Sequence, residues 1–135
     1  GGAARAVAVG LDLAGAEVRL RGRDDRRTAD VAAKIGVGRM RADETAPAGA
    51  ILVNATPLGS SPDDPLPFAE AEAEAAAAVV DMVYGGGIPR LAAFAGARYV
   101  DGLAVLACQG FAQFAAFTGC LPPKDAMLSA LRSTD

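Results

Sequence analysis

The chain is predicted to be a parallel α/β protein, and three observations lead there. Short apolar runs rich in β-branched residues alternate along the sequence with segments of helical periodicity. Those runs end in glycine, proline or aspartate, which stop a strand and open a turn. No internal repeat and no linker-like composition divides the 135 residues, a length that suits one domain with one core. Parallel neighbours need crossover segments between them, and those crossovers should be right-handed.

The elements follow in order. Gly1-Gly2-Ala3 opens the chain, and from Ala3 the pattern is helical, with Ala6, Val7, Gly10, Leu11 and Ala14 on one face and Gly15 as the stop. Two glycines ahead of a helix suit a phosphate cradle, because free N–H groups and the positive dipole end face outward with no side chain in the way. A flexible terminus begins the same way. The dinucleotide fingerprint also wants an earlier glycine and a strand before this pair. Glu17–Arg21 alternates polar and apolar residues and reads as a strand. It runs into Gly22-Arg23-Asp24-Asp25-Arg26-Arg27. In dinucleotide folds an acidic residue after this strand favours a free ribose 2′-hydroxyl, and an arginine favours a 2′-phosphate. Both signs are present, and Arg23 and Arg27 are the phosphate candidates. A solvated charged turn capping the next helix is the simpler reading. A helix over Thr28–Ile35 ends at Gly36, and Val37–Arg41 is a short strand.

Ala50–Val53 reads as a buried strand leading into Asn54-Ala55-Thr56-Pro57-Leu58-Gly59. Pro57 cannot join a ladder and Gly59 eases the turn, so Asn54 and Thr56 arrive at the carboxyl end of a strand. Ligands of open α/β sheets bind at that edge. Ser60–Pro67 is a loop, and the Ala/Glu-rich stretch Phe68–Ala78 is read as a helical, solvated spacer. Val79–Tyr84 is a strand broken by Gly85–Gly87, and Pro89–Ala95 is a short helix stopped by Gly96. Arg98–Val100 is a strand, and Asp101-Gly102 starts a helix carrying Leu103, Leu106, Gly110, Phe114 and Phe117 on one face. Thr118-Gly119 ends it, Pro122-Pro123 forbids continuation, and the last helix presents Met127, Ala130 and Leu131.

Composition narrows the chemistry. Hydrophobic residues make up 52% and aromatics only 5%, so the core is packed with small side chains. The net charge of −3 argues against a general nucleic-acid binder. No run is long enough to span a membrane and no signal peptide is visible. The two cysteines, Cys108 and Cys120, lack metal-ligand spacing and read as buried thiols of a reducing cytoplasm. Histidine is absent, which removes His-dependent nucleophilic triads and makes a zinc site improbable.

Taken in order, Gly-Gly-Ala-Ala-Arg-Ala, Arg23 and Arg27, Asn54–Gly59, Asp81-Met82-Val83-Tyr84, Asp101–Gly110 and Phe117-Thr118-Gly119 resemble the shikimate dehydrogenase family, over its carboxyl-terminal, nucleotide-binding half. The resemblance implies a three-layer, Rossmann-like parallel sheet with helices on both faces, its first strand missing at the N-terminus. It implies interconversion of 3-dehydroshikimate and shikimate with NADP in aromatic amino-acid biosynthesis. Gly1, Gly2 and Ala3 match the later part of the family's glycine loop. Arg23 and Arg27 match its 2′-phosphate arginines, with Asp24 standing where the family has Thr and Gly22 where it has Asn. Asp24 would repel a phosphate if it pointed inward. Asn54 and Thr56 match the loop beside the nicotinamide ribose, as positioning groups. Met82, Gly102 and Val105 match positions around the nicotinamide, and Tyr84 and Gln109 match substrate-binding residues. Gly85–Gly87 replaces a proline-containing turn.

The family's catalytic Lys and Asp belong to an N-terminal domain absent from this sequence, and Lys34 and Lys124, the only lysines here, match neither. The chain alone is therefore expected to be catalytically incompetent, and marginally stable where a central strand is lacking. A cytoplasmic location and a homodimer fit the resemblance, with no nucleic-acid or membrane partner. A quinate/shikimate-type enzyme using NAD, and an inactive nucleotide-binding module, are the alternatives.

Overall fold

Residues 1–61, 63–84 and 90–132 are described by the computed structural model, and they divide into two compact units, 1–46 and 47–135. The triple glycine Gly85–Gly87 lies outside the described residues.

The first unit runs α1 (Gly2–Leu13), β1 (Arg19–Leu20), α2 (Asp25–Ile35) and β2 (Gly38–Arg39). Helix α1 packs through Ala4, Val7, Ala8 and Leu11, at helical spacing, while Ala6, Gly10 and Ala14 are exposed. The expected face was therefore rotated: alanine and glycine carry too little apolar area to choose a side, and the branched Val7 and Leu11 choose it. Gly2 is the first helical residue rather than a residue ahead of the helix, with Gly1 as its N-cap. Gly15 takes the left-handed backbone (φ +86°) that releases the chain. Strands β1 and β2 pair in parallel, Arg19 with Gly38 and Leu20 with Arg39, both shorter than expected. Gly38 sits close to its neighbour: a Cβ there would stand 3.1 Å from the Val18 carbonyl oxygen.

Helix α2 starts three residues earlier than its apolar periodicity suggests. Asp24 is its N-cap, and its Oδ1 accepts from the Arg27 N–H at 2.9 Å. The other end closes on Gly36 (φ +77°), whose N–H reaches the Ala32 carbonyl. Ala8, Ala32 and Met40 are the buried apolar side chains of this unit.

The second unit carries β3 (Ile51–Asn54), α3 (Glu70–Ala75), β4 (Ala78–Asp81), α4 (Arg90–Ala95), a 3-10 turn at Gly96–Arg98, β5 (Tyr99–Val100), α5 (Gly102–Thr118) and α6 (Lys124–Arg132). Its three strands are parallel in the order β3-β4-β5, with Asn54 opposite Asp81 and Val80 opposite Val100. β4 stops at Asp81, before the expected Tyr84. The Met82 N–H still donates to the Asn54 carbonyl at 3.0 Å, and β3 then turns away at Pro57.

Helix α3 is not a solvated spacer. It is short, it packs against α4, and it buries Ala73 and Glu72. The Glu72 carboxylate accepts from the Ala69 N–H at 2.9 Å, satisfying a free donor at the helix start. Arg98 fastens the far end by donating to the carbonyls of Glu74 (2.8 Å) and Ala76, and it also donates to the Ala95 carbonyl at the end of α4 (3.2 Å). The core here is Leu52, Ala73, Ala76, Val79, Leu91, Ala95 and Ala107.

On α5 the expected stripe holds only for its first part. Leu103, Leu106, Gly110 and Phe114 are half-buried, while Phe117 is 84% exposed. Helix α6 packs back on α5 through Met127, Leu128 and Leu131, with Ala130 exposed, and the Lys124 ammonium lies 5.6 Å from the Phe111 ring centre. Cys108 and Cys120 are both exposed, contrary to the expectation of buried thiols, because each sits on the outward side or at the end of α5. Among the described residues no helix is long and apolar enough to cross a membrane, and no cluster of potential metal ligands occurs.

Candidate functional site

Because β3, β4 and β5 are parallel, their carboxyl ends lie along one edge. That edge collects Asn54 at the end of β3 and Thr56 beyond it, Met82 and Tyr84 after β4, and Gly102 and Val105 at the start of the helix after β5, while Gln109 lies about two turns along that helix. Six of the sequence-derived site residues thus lie at one end of the second unit.

A polar network fastens these exits together. Asn54 is 1% exposed and uses its whole side-chain capacity. Its Nδ2 donates to the Leu58 carbonyl and to Asp81 Oδ1, both at 2.9 Å, and its Oδ1 accepts from the Thr56 N–H at 3.0 Å and the Thr56 hydroxyl at 2.7 Å. Thr56 Oγ1 in turn accepts from the Leu58 N–H at 3.2 Å. Asn54 is not a solvated loop group but the internal template around which residues 54–58 bend, while Thr56 is exposed with its hydroxyl tied back to Asn54. Asp64 steadies the next turn, its Oδ2 accepting from the N–H groups of Gly59 (3.2 Å) and Ser61 (3.0 Å) and from the Ser60 hydroxyl (3.3 Å).

Asp81 is the residue that sequence reasoning passed over. It ends β4 with its carboxylate 2% exposed. Oδ1 accepts from Asn54 Nδ2 and from the Val83 N–H at 3.1 Å, and Oδ2 accepts from the Tyr99 hydroxyl at 3.3 Å. The signal was available: an aspartate closing a run of valines must find partners once buried. The Tyr99 phenol is pushed to a raised pKa, first by burial, then by the Asp81 charge and hydrogen bond and by the Asp101 charge.

Gly102 is required by contact. A Cβ on it would run into the Val83 carbonyl oxygen and come within 2.8 Å of the Val83 carbonyl carbon and 3.0 Å of the Met82 carbonyl carbon. The start of α5 thus lies directly against the backbone leaving β4, and Asp101 caps it by accepting from the Ala104 N–H at 2.7 Å. Met82 and Val105 are half-buried, and Tyr84 is 58% exposed. Tyr84 and Gln109 have no side-chain hydrogen bond among the described residues, so their polar ends are available to a ligand.

In the first unit the remaining candidates occupy helix starts. Gly1 and Gly2 face open space, with no heavy atom within 4 Å of a Cβ built on either, and Ala3 follows in the exposed first turn of α1. Arg23 and Arg27 are exposed and make no ion pair among the described residues. The Asp24 carboxylate is turned into the start of α2 by its bond to the Arg27 N–H. An unblocked helix start and two unpaired guanidiniums fit the phosphates of a dinucleotide.

Parallel strands joined by helices, with polar loops gathered at the carboxyl edge of the β3-β4-β5 sheet, define a Rossmann-like α/β protein. Comparison with known proteins agrees. The family model "Shikimate 5'-dehydrogenase C-terminal domain" matches residues 102–132. The "Shikimate dehydrogenase (NADP(+))" of Methanocella arvoryzae is 35% identical over 142 residues, covering 98% of this chain and 53% of that protein. Its namesake from Halobacterium salinarum is 38% identical over 144 residues, covering 98% and 52%. Among solved structures, the shikimate 5-dehydrogenase of Thermus thermophilus in complex with NADP(H) and shikimate superposes with a TM-score of 0.79 at 34% identity, over 98% of this chain and 52% of that one. A ligand-free 5-ketofructose reductase of a Gluconobacter species reaches a TM-score of 0.84 at 28% identity, over 100% and 54%. The chain belongs to the shikimate dehydrogenase family, as its C-terminal domain. It spans about half the length of the relatives it matches.

Proposed function

We propose that this chain is the cofactor-binding half of a cytoplasmic, NADP-dependent shikimate dehydrogenase that interconverts 3-dehydroshikimate and shikimate. The observation that carries the cofactor choice is at the start of α2. Among the described residues the Arg23 and Arg27 guanidiniums make no ion pair, while Asp24, the carboxylate between them that would repel a phosphate, is occupied as the helix cap. That arrangement suits an adenosine 2′-phosphate, which a planar guanidinium binds through paired hydrogen bonds.

In the second unit, taken by itself, the strand exits are assigned to a nicotinamide, as the family resemblance implies. There Met82 and Val105 are half-buried apolar groups, Gly102 is buried against the Val83 backbone, and Asn54 and Thr56 shape the loop after β3. NADPH, when bound, supplies the hydride. The chain's own work is to hold the nicotinamide still and to offer Tyr84 and Gln109 to the substrate. The proton-transferring Lys and Asp are assigned to the complementary half, as the family resemblance implies.

Titration of the chain with NADPH and NADH, followed by nucleotide fluorescence, tests the proposal. NADPH should bind more tightly, and Arg23→Ala should weaken it by about tenfold with little change for NADH, the worth of a charge-assisted phosphate contact. Equal losses for both nucleotides would remove the 2′-phosphate assignment. NADP-dependent shikimate oxidation by the chain alone would overturn the assignment of the proton-transferring groups to the other half.

A further inference from the structure

Asp81 is buried and charged, and no part of the cofactor reading uses it. A carboxylate accepts hydrogen bonds and donates none, so it dictates the orientation of every group around it. Here it faces three donors on three elements: Asn54 Nδ2 from the end of β3, the Val83 N–H from the exit of β4, and the Tyr99 hydroxyl from β5. By holding Nδ2 it obliges the Asn54 oxygen to face Thr56, and that sets the bend of residues 54–58. By holding the Val83 N–H it sets the backbone against which Gly102 rests. Desolvating a carboxylate is costly, and an apolar residue of similar size would fill the same space without that cost. What the charge adds is orientation.

We propose that Asp81 is the positioning residue of the nicotinamide end of the site: its carboxylate aligns the loop of Asn54 and Thr56 with the exit carrying Met82 and Tyr84. The inference rests on the cofactor reading above and deepens it.

The test uses two probes on the intact chain. NADPH reports on both ends of the site, and 2′,5′-ADP reports only on the Arg23 and Arg27 end. Asp81→Asn keeps the shape. Its carbonyl can still accept from Asn54 and Val83 if its amide turns to Tyr99, which must then accept rather than donate, so the fold persists while the charge is gone. The expected result is NADPH binding about tenfold weaker, loss of the fluorescence gain of the sequestered nicotinamide, and 2′,5′-ADP affinity within about twofold of wild type. Tyr99→Phe, which removes the most distant of the three donors, should shift NADPH in the same direction by less. If Asp81→Asn weakens both probes alike, or neither, Asp81 serves only the fold and the inference is overturned while the cofactor reading stands. If the wild-type chain binds neither probe, the cofactor reading falls and carries this inference with it.

Discussion

Gly102→Ala is the sharpest test of how the second unit is assembled. The added methyl has nowhere to go. The Val83 carbonyl oxygen lies in its path, with the Val83 and Met82 carbonyl carbons at 2.8 and 3.0 Å, and all three atoms are backbone. Nothing there can swing aside as a side chain would. Overpacking a tight contact costs about 1–3 kcal/mol, and a backbone-only contact belongs at the upper end. Alanine's better helix propensity returns about 0.5–1 kcal/mol, less at a first helical position. The net loss is about 2 kcal/mol, or roughly 8 °C of melting temperature for a domain of this length. Thermal and urea unfolding followed by circular dichroism would measure it. Gly110→Ala on the same helix is the control. Among the described residues outside its own helix backbone, what an added Cβ would meet within 4 Å is the Met127 methyl at 3.3 Å, the free end of a flexible side chain, so stability should be unchanged or rise by up to about 1 kcal/mol. Equal stability of Gly102→Ala and wild type would refute the close seating of α5 on the β4 exit.

Other outcomes follow from the same contacts. Asn54→Ala removes a fully bonded buried amide and strips one donor from Asp81, and should cost roughly 3 kcal/mol in urea unfolding. Asp24→Ala should cost about 1 kcal/mol through the lost α2 cap, with Asp24→Asn close to wild type. The raised Tyr99 pKa means the folded state holds that proton more tightly than the unfolded chain, so its contribution is present below the ordinary tyrosine range and lost as pH rises through and above it. A pH–stability curve should therefore fall in strong alkali for wild type and less steeply for Tyr99→Phe. Both cysteines should react with a thiol reagent in the native chain, since both are exposed.

What was legible in the sequence was whatever a single residue dictates locally. Gly15, Gly36, Gly96 and Gly119 all stop helices or turns with positive φ where they were read as stops. Asp101 and Gly102 open α5 as their order suggested. Helix faces were less legible, because the chain is rich in alanine. In α1, Ala6 and Ala8 are chemically the same residue, yet Ala8 is buried and Ala6 exposed, and only the packing partner decides between them. α3 shows the same blindness: Ala/Glu alternation looks solvated until Glu72 turns back to cap its own helix. Strand lengths were overestimated at β1, β2 and β4, since β propensity marks residues fit for a ladder and not the residues that find a partner.

The candidate residues of the two units differ in how their polar groups are spent. In the first unit Arg23 and Arg27 are left unpaired, which costs little because they are exposed and hydrated. In the second unit the buried Asn54 is fully bonded and the buried Asp81 accepts three hydrogen bonds inside the chain, as burial requires. The first arrangement can take up a multiply charged phosphate from water by electrostatics alone. The second cannot bind through those side chains at all and can only present the backbone and apolar groups they arrange. On the cofactor reading proposed above, the first suits a charged adenosine phosphate and the second a weakly polar nicotinamide. Loss of an arginine should then change which nucleotide is chosen, while loss of Asp81 should change how firmly the reactive ring is held. The two effects should add, because the groups share no partner. A double variant of Arg23→Ala with Asp81→Asn should weaken NADPH by about the product of the two single effects, and a marked departure from that product would show that the two ends are coupled.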